Sequence, residues 1–152
     1  MKKIFTILIA VFIFSSVHSQ KLEKENVPAP VIKQFESLFP KVKNSKWELD
    51  FENYQVDFTE GKVEKSVWFD KDGKWIKKTT ILISSQLPAT VKEVLIKSIG
   101  GSFSDYTYDY IEKIEAPNVE NKYKIIIKKN KEPLDFLISE KGQILEKEDE
   151  EH

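Results

Sequence analysis

The sequence predicts an α+β protein, a tandem repeat of one helix packed on a four-stranded antiparallel sheet. Three observations predict it. Val27-Pro28-Ala29-Pro30-Val31 and Leu87-Pro88-Ala89-Thr90-Val91 match at an offset of 60 residues. Each opens a stretch with helical spacing: Val31, Ile32, Phe35, Leu38 and Phe39 in one, Val91, Val94, Leu95 and Ile99 in the other. Each stretch is then followed by period-two alternation, and residues 54–76 align without a gap on 123–145.

Met1 to Ser19 reads as a secretory signal. Lys2 and Lys3 form its charged start, Ile4 to Phe14 its apolar run, and Val17-His18-Ser19 a cleavage site before Gln20. The apolar run is about half the roughly 20 residues that a bilayer span needs. The expectation is cleavage, no stable membrane insertion afterwards, and a periplasmic or secreted bacterial protein. Residues 20–84 form the first unit, 85–147 the second, and 148–152 an acidic tail.

Within the first unit, a proline in the first turn suits the helix start, and Pro40 ends the helix. Trp47, Leu49 and Phe51 share one face of the next strand, and Tyr54, Val56 and Phe58 that of the strand after it. Val67 and Phe69 follow, then Trp75 after the turn Asp70-Lys71-Asp72-Gly73. In the second unit Gly100-Gly101 ends the helix. The stripe Tyr106, Tyr108 and Tyr110 takes the place of Trp47, Leu49 and Phe51, which puts it under the helix. About ten extra residues around Ile111 to Asn121, including Pro117-Asn118, read as an inserted turn or protruding hairpin.

A helix on one face of an antiparallel sheet leaves the other face open. Gly73 indicates a three-residue hairpin link with a bulge. Phe69 then faces Trp75 on the covered side, and one step on, Trp68 faces Ile76 on the open side. The second unit gives Leu137 opposite Leu145 in the same way. These four residues are the candidate binding positions, because tryptophan is enriched at interface hot spots. The structural alternative is plain cross-strand stabilisation, ~0.2–1 kcal/mol per pair.

Composition narrows the function. The 152 residues hold 24 basic and 25 acidic side chains, no cysteine, and two histidines, His18 and His152. All the basic residues are lysine. Disulfides, cysteine nucleophiles and zinc fingers are therefore excluded. Without arginine, the usual forks for phosphate and guanine are missing, so a nucleic-acid binder is not expected. No carboxylate pair stands out for glycoside hydrolysis.

The residues Trp47, Tyr54 and Phe58, and above all Val67-Trp68-Phe69-Asp70-Lys71-Asp72-Gly73-Lys74-Trp75, resemble the PepSY-like family of small exported bacterial proteins. The resemblance is looser in the second unit, where Ser139-Glu140-Lys141-Gly142-Gln143-Ile144 replaces the aromatic hairpin. It implies a fold like β-lactamase-inhibitory protein, and a binding or inhibitory module rather than an enzyme. It carries no inhibitory residues over to this chain.

Other candidates have simpler readings. Asp70, Asp72 and Gly73 have the wrong spacing for an EF-hand, so they read as a turn, and no metal site is expected. The acidic end reads as a solvated tail. Lys122, Lys124, Lys128, Lys129 and Lys131 read as protection of an exposed strand edge. The sequence thus predicts no catalytic residues and no cofactor, and a protein partner met by the open sheet face. The alternative is a periplasmic carrier of a small ligand, with a pocket between helix and sheet.

Overall fold

The alternating segments do become strands, but they join into one sheet. The computed structural model describes residues 20–100 and 102–149. The expected signal segment, 1–19, and residues 150–152 lie outside the described residues. The strands are β1 (Gln20–Leu22), β2 (Ser45–Asp50), β3 (Asn53–Glu60), β4 (Val63–Phe69) and β5 (Trp75–Ile81). They continue as β6 (Thr107–Glu115), β7 (Lys122–Lys129), β8 (Glu132–Ser139) and β9 (Ile144–Asp149). All nine pair antiparallel in the order β1 to β9. Two helices, α1 (Ala29–Leu38) and α2 (Ala89–Ser98), cover one face.

This overturns the expected tandem of helix-on-four-strand units: the fold is mostly β, an open nine-stranded sheet. The physical cause lies in the residues read as an insertion. Ile111 to Glu115 are not a protruding turn but the second half of β6. That extension reaches β5 and pairs Lys78 with Glu115, Thr79 with Ile114, Thr80 with Lys113 and Ile81 with Glu112. The Lys78–Glu115 pair closes to 3.0 Å and Lys113 adds a second contact to Glu115 at 3.2 Å. Glu115 is pulled up by burial, but the two ammonium groups outweigh it and hold its carboxyl below the usual range. β1 adds a further strand, pairing Gln20 to Leu22 with Leu49 to Trp47.

Both helices begin at the Pro-Ala motif, and α1 carries Pro30 in its first turn. Val31 and Phe35 of α1 pack on Trp47, Val56, Phe58, Val67 and Phe69. Phe35 meets Trp47 and Phe58 edge-on, with ring centroids 5.3 and 5.2 Å apart. Each such pair is worth roughly 0.5–1.5 kcal/mol beyond its buried area. Val91 and Leu95 of α2 pack on Ile111, Tyr123, Ile125, Ile127, Phe136 and Ile138. The space between helices and sheet is thus filled by side chains, which argues against the expected helix–sheet ligand pocket.

The β4–β5 turn closes as expected. Gly73 donates to the Asp70 carbonyl and Asp70 to the Lys74 carbonyl, both at 3.0 Å. The Asp70 carboxylate accepts from the backbone N–H groups of Asp72 (3.0 Å) and Lys74 (2.9 Å), so it is committed to the turn. The β8–β9 turn repeats these backbone bonds with Ser139, Gly142 and Gln143.

Three finer expectations fail. β7 is an interior strand between β6 and β8, so its lysines do not guard an edge. Instead Lys128 pairs with Asp109 at 2.9 Å and Lys129 with Asp105 at 3.5 Å. Phe51 is not in the core: it sits at the tip of the β2–β3 hairpin, 73% exposed, with φ of 55°. Lastly, β9 runs through Asp149, so a strand occupies the start of the expected 148–152 tail.

Candidate functional site

The sheet face without helices is set by the ladder. Opposite the buried Val56, Val67, Ile125 and Phe136 positions, the alternating residues point away from the helices. On β4 these are Glu64, Ser66 and Trp68. On β5 they are Lys77, Thr79 and Ile81; on β6, Ile114, Glu112 and Tyr110.

The expected partner of Trp68 is wrong by one residue. Phe69 does face Trp75, and Trp75 packs against the first core. The register then shifts, and Trp68 stands opposite Lys77, leaving Ile76 as the unpaired bulge residue. The β8–β9 pair repeats the shift: Ile138 faces Ile144, Leu137 faces Glu146, and Leu145 is the extra residue, 38% exposed. Neither Trp68 and Ile76 nor Leu137 and Leu145 are cross-strand pairs. Two bulges, each one step beyond a glycine turn, are the reason.

Lys77 and Asp50 hold Trp68 in their place. The Lys77 ammonium lies 3.8 Å from the centre of the indole ring. The indole N–H donates to Asp50 Oδ2 at 2.8 Å. Gln55 is level with Trp68 on β3 and donates through Nε2 to Asp57 Oδ1 at 2.8 Å. Trp68 is therefore a half-buried, oriented aromatic whose N–H is satisfied. Sequence reading found Trp68 but missed Lys77, which the shifted register brings opposite it, and Asp50, which reaches it from the end of β2.

Lower on the same face, beside Trp68, lies a concavity of about 890 Å³. Its floor and walls include Asp57, Glu64, Ser66, Thr79, Ile81, Tyr110 and Glu112, and it is also lined by Lys41 and Lys43 of the α1–β2 connection, Lys46 of β2 and Lys65 of β4. Tyr110 was expected under the helix. A register shift between Tyr108 and Tyr110 sends them to opposite faces. Tyr108 packs against the second core, whereas Tyr110 lines the concavity. Burial, then the charge and hydrogen bond of Glu112, then the charge of Glu64, push the Tyr110 hydroxyl up to about 12. The adjacent apolar residues Tyr110 and Ile111 break strict alternation, and are the trace of this bulge in the sequence.

Among the described residues no group of histidine, aspartate and glutamate side chains is arranged to hold a metal ion. No helix among them is long and apolar enough to cross a membrane.

A long antiparallel sheet, covered by two helices on one face and bearing a concavity on the other, defines the scaffold. The chain belongs to the PepSY-like family: the profile described as "Putative beta-lactamase-inhibitor-like, PepSY-like" matches residues 52–146. It is similar in structure to a protein from Bacteroides eggerthii described as one of the "putative periplasmic proteins". That match has a TM-score of 0.72 and 22% identity, covering 81% of this chain and 88% of the other. A BLIP-like protein from Bacteroides fragilis matches with a TM-score of 0.66 and 25% identity, over 82% of this chain and 88% of that one. A DUF2874 family protein from Bacteroides ovatus gives 0.69 and 22%, over 80% and 86%. A search of the curated proteins finds no match.

Proposed function

We propose that this protein is an exported, non-enzymatic binding module that recognises a protein of the bacterial envelope or exterior with the helix-free face of its sheet. The observation that carries this reading is Trp68, held by Asp50 and Lys77 and left half-exposed on that face. A tryptophan whose rotamer is already fixed loses little entropy on binding, so its contact area is available for affinity. Ile76, the bulge residue beside it, and Leu137 and Leu145 at the far end of the sheet extend the proposed surface. The inhibitor-like family and the periplasmic description of a structural relative support the class and the location.

The test compares Trp68→Ala and Trp68→Phe for capture of a partner from native envelope extract. Removing one charge-assisted hydrogen bond and one cation–π contact at a half-exposed site should cost about 1–2 kcal/mol of stability. Trp68→Ala should weaken capture at least tenfold while the protein stays folded, and Trp68→Phe should retain most of it. Capture unchanged by Trp68→Ala would remove Trp68 from the surface and overturn the reading.

A further inference from the structure

We propose that the β5–β6 seam is a hinge, about which the α1 side and the α2 side of the sheet rock, widening or narrowing the concavity on the helix-free face. The hinge stands whether or not Trp68 meets a partner.

Two separate cores carry the argument. α1 covers one, built on Trp47, Val56 and Val67, and α2 covers the other, built on Tyr123, Ile125 and Ile138. Among the described residues no buried apolar side chain belongs to both. The ladder shows why. The buried row Val56–Val67 continues across the sheet as Lys78 and then Glu115. From the other side, the buried row Ile138–Tyr123 continues as Lys113 and then Thr80. Where a fused core would place apolar side chains, the helix-covered face carries two lysines, a glutamate and a threonine. Burial of apolar area is what makes neighbouring elements move and unfold together, and the seam offers little of it on this face.

What crosses the seam is short and polar. β5 and β6 share four ladder pairs, against seven between β3 and β4 and eight between β7 and β8. Beyond these, the Leu82 N–H donates to the Ile111 carbonyl at 2.9 Å. Lys78 and Lys113 both close on Glu115, at 3.0 and 3.2 Å, and all three side chains keep about a quarter of their surface in water. Hydrated ion pairs re-form after a small rotation, whereas interdigitated apolar side chains resist it.

The place of the seam gives the motion its consequence. Asp57, Ser66 and Thr79 line the concavity from one side of the hinge, Tyr110 and Glu112 from the other. Rotation at the seam therefore changes the width of the concavity. Trp68, Asp50 and Lys77 all lie on the α1 side and keep their mutual contacts.

The chain has no cysteine, so spin labels go only where they are introduced. Gln34→Cys with Glu93→Cys spans the hinge from α1 to α2, and Gln34→Cys with Glu64→Cys stays on the α1 side; all three positions are exposed. Double electron–electron resonance on the folded protein should give a distance distribution at least ~2-fold wider for the spanning pair. Glu115→Gln removes the shared carboxylate and leaves Lys78 and Lys113 without it, so it should widen or shift the spanning distribution and leave the other unchanged. Glu60→Gln, which breaks the Lys65 ion pair within the α1 side, should change neither. In unlabelled Glu115→Gln protein the amides of β5 and β6 along the seam should exchange with solvent at least ~10-fold faster, while those of Val56 and Ile125 hold. Equal widths for the two label pairs, or a spanning distribution indifferent to Glu115→Gln, would overturn the hinge. Exchange accelerated evenly over all strands would overturn it too, because the sheet would then open as one body.

Discussion

Gly73 offers the sharpest test of how the sheet is tied to α1. Its φ is +83°, and a Cβ added there would sit 2.6 Å from the Pro30 carbonyl oxygen and 2.9 Å from its carbon. Those are backbone atoms in the first turn of α1, so no side-chain rotation relieves the clash. Gly61, in the β3–β4 turn, has a φ of +67° with nothing within 4 Å of its Cβ position. Alanine at either site bears the left-handed backbone cost of ~1–2 kcal/mol, partly offset by ~0.4–1 kcal/mol from a stiffer unfolded chain. Gly61→Ala should thus lose only about 0.5–1 kcal/mol. Gly73→Ala must also push α1 off the β4–β5 hairpin, loosening Val31 and Phe35 against Phe69, an overpacking cost of roughly 1–3 kcal/mol. Its total is about 2–4 kcal/mol, or some 6–15 °C in Tm for a domain of this size. Urea and thermal melts followed by tryptophan fluorescence measure both variants. A difference between them below about 0.5 kcal/mol would refute the reasoning, since the helix would then yield to the added methyl at no cost.

Two pH-dependent effects follow from the ionisable groups. The Tyr110 hydroxyl is raised to about 12, so between the ordinary tyrosine value of 10.0 and 12 the unfolded chain ionises and the native one does not. Stability from this group is present below pH 10 and lost as pH rises to 12; burial raises Tyr108 and Tyr123 as well, so in ultraviolet titration three tyrosines should ionise late with Tyr110 the last, and Glu112→Gln should bring that last one earlier. Glu115 has its carboxyl held below the ordinary glutamate value of 4.5, so its contribution is present above that pH and lost as pH falls through the native value. Glu115→Gln should lower Tm at neutral pH, with the difference from the parent protein disappearing in acid. A difference that persisted at low pH would assign the effect to packing instead of charge.

What the sequence made legible stops at each bulge. The helices, the Gly73 turn and the Phe69–Trp75 pair follow from local rules: proline in a first turn, glycine at positive φ, and period-two alternation. Beyond the turn, alternation predicts Trp68 opposite Ile76, and one unpaired residue changes that partner to Lys77. At Tyr110 a bulge does more, turning a residue from the core face to the open one. Alternation says which residues share a face only while the phase holds, and a bulge that leaves the hydrophobic pattern almost intact costs too little to show in composition. The joining of β5 to β6 was hidden for another reason. Lys78, Thr80, Lys113 and Glu115 are polar, and a strand pair held by charges has none of the apolar signature by which strands are recognised.

The same displacements create the candidate site. With strict alternation Trp68 would lie against an isoleucine, and Tyr110 would be buried beneath α2. The β4–β5 bulge instead sets a lysine over the indole, and the β6 bulge turns Tyr110 onto the open face, where the charge of Glu112 acts on its hydroxyl. The β5–β6 pairing then brings Glu112 level with Ile81, and through it into a row with Glu64. Ile81 and Glu112 come from strands separated in sequence by α2, so no short motif encodes that row. The charged and aromatic groups of the helix-free face are thus positioned by irregularities in the ladder, whereas the regular part of the ladder builds the core that holds them.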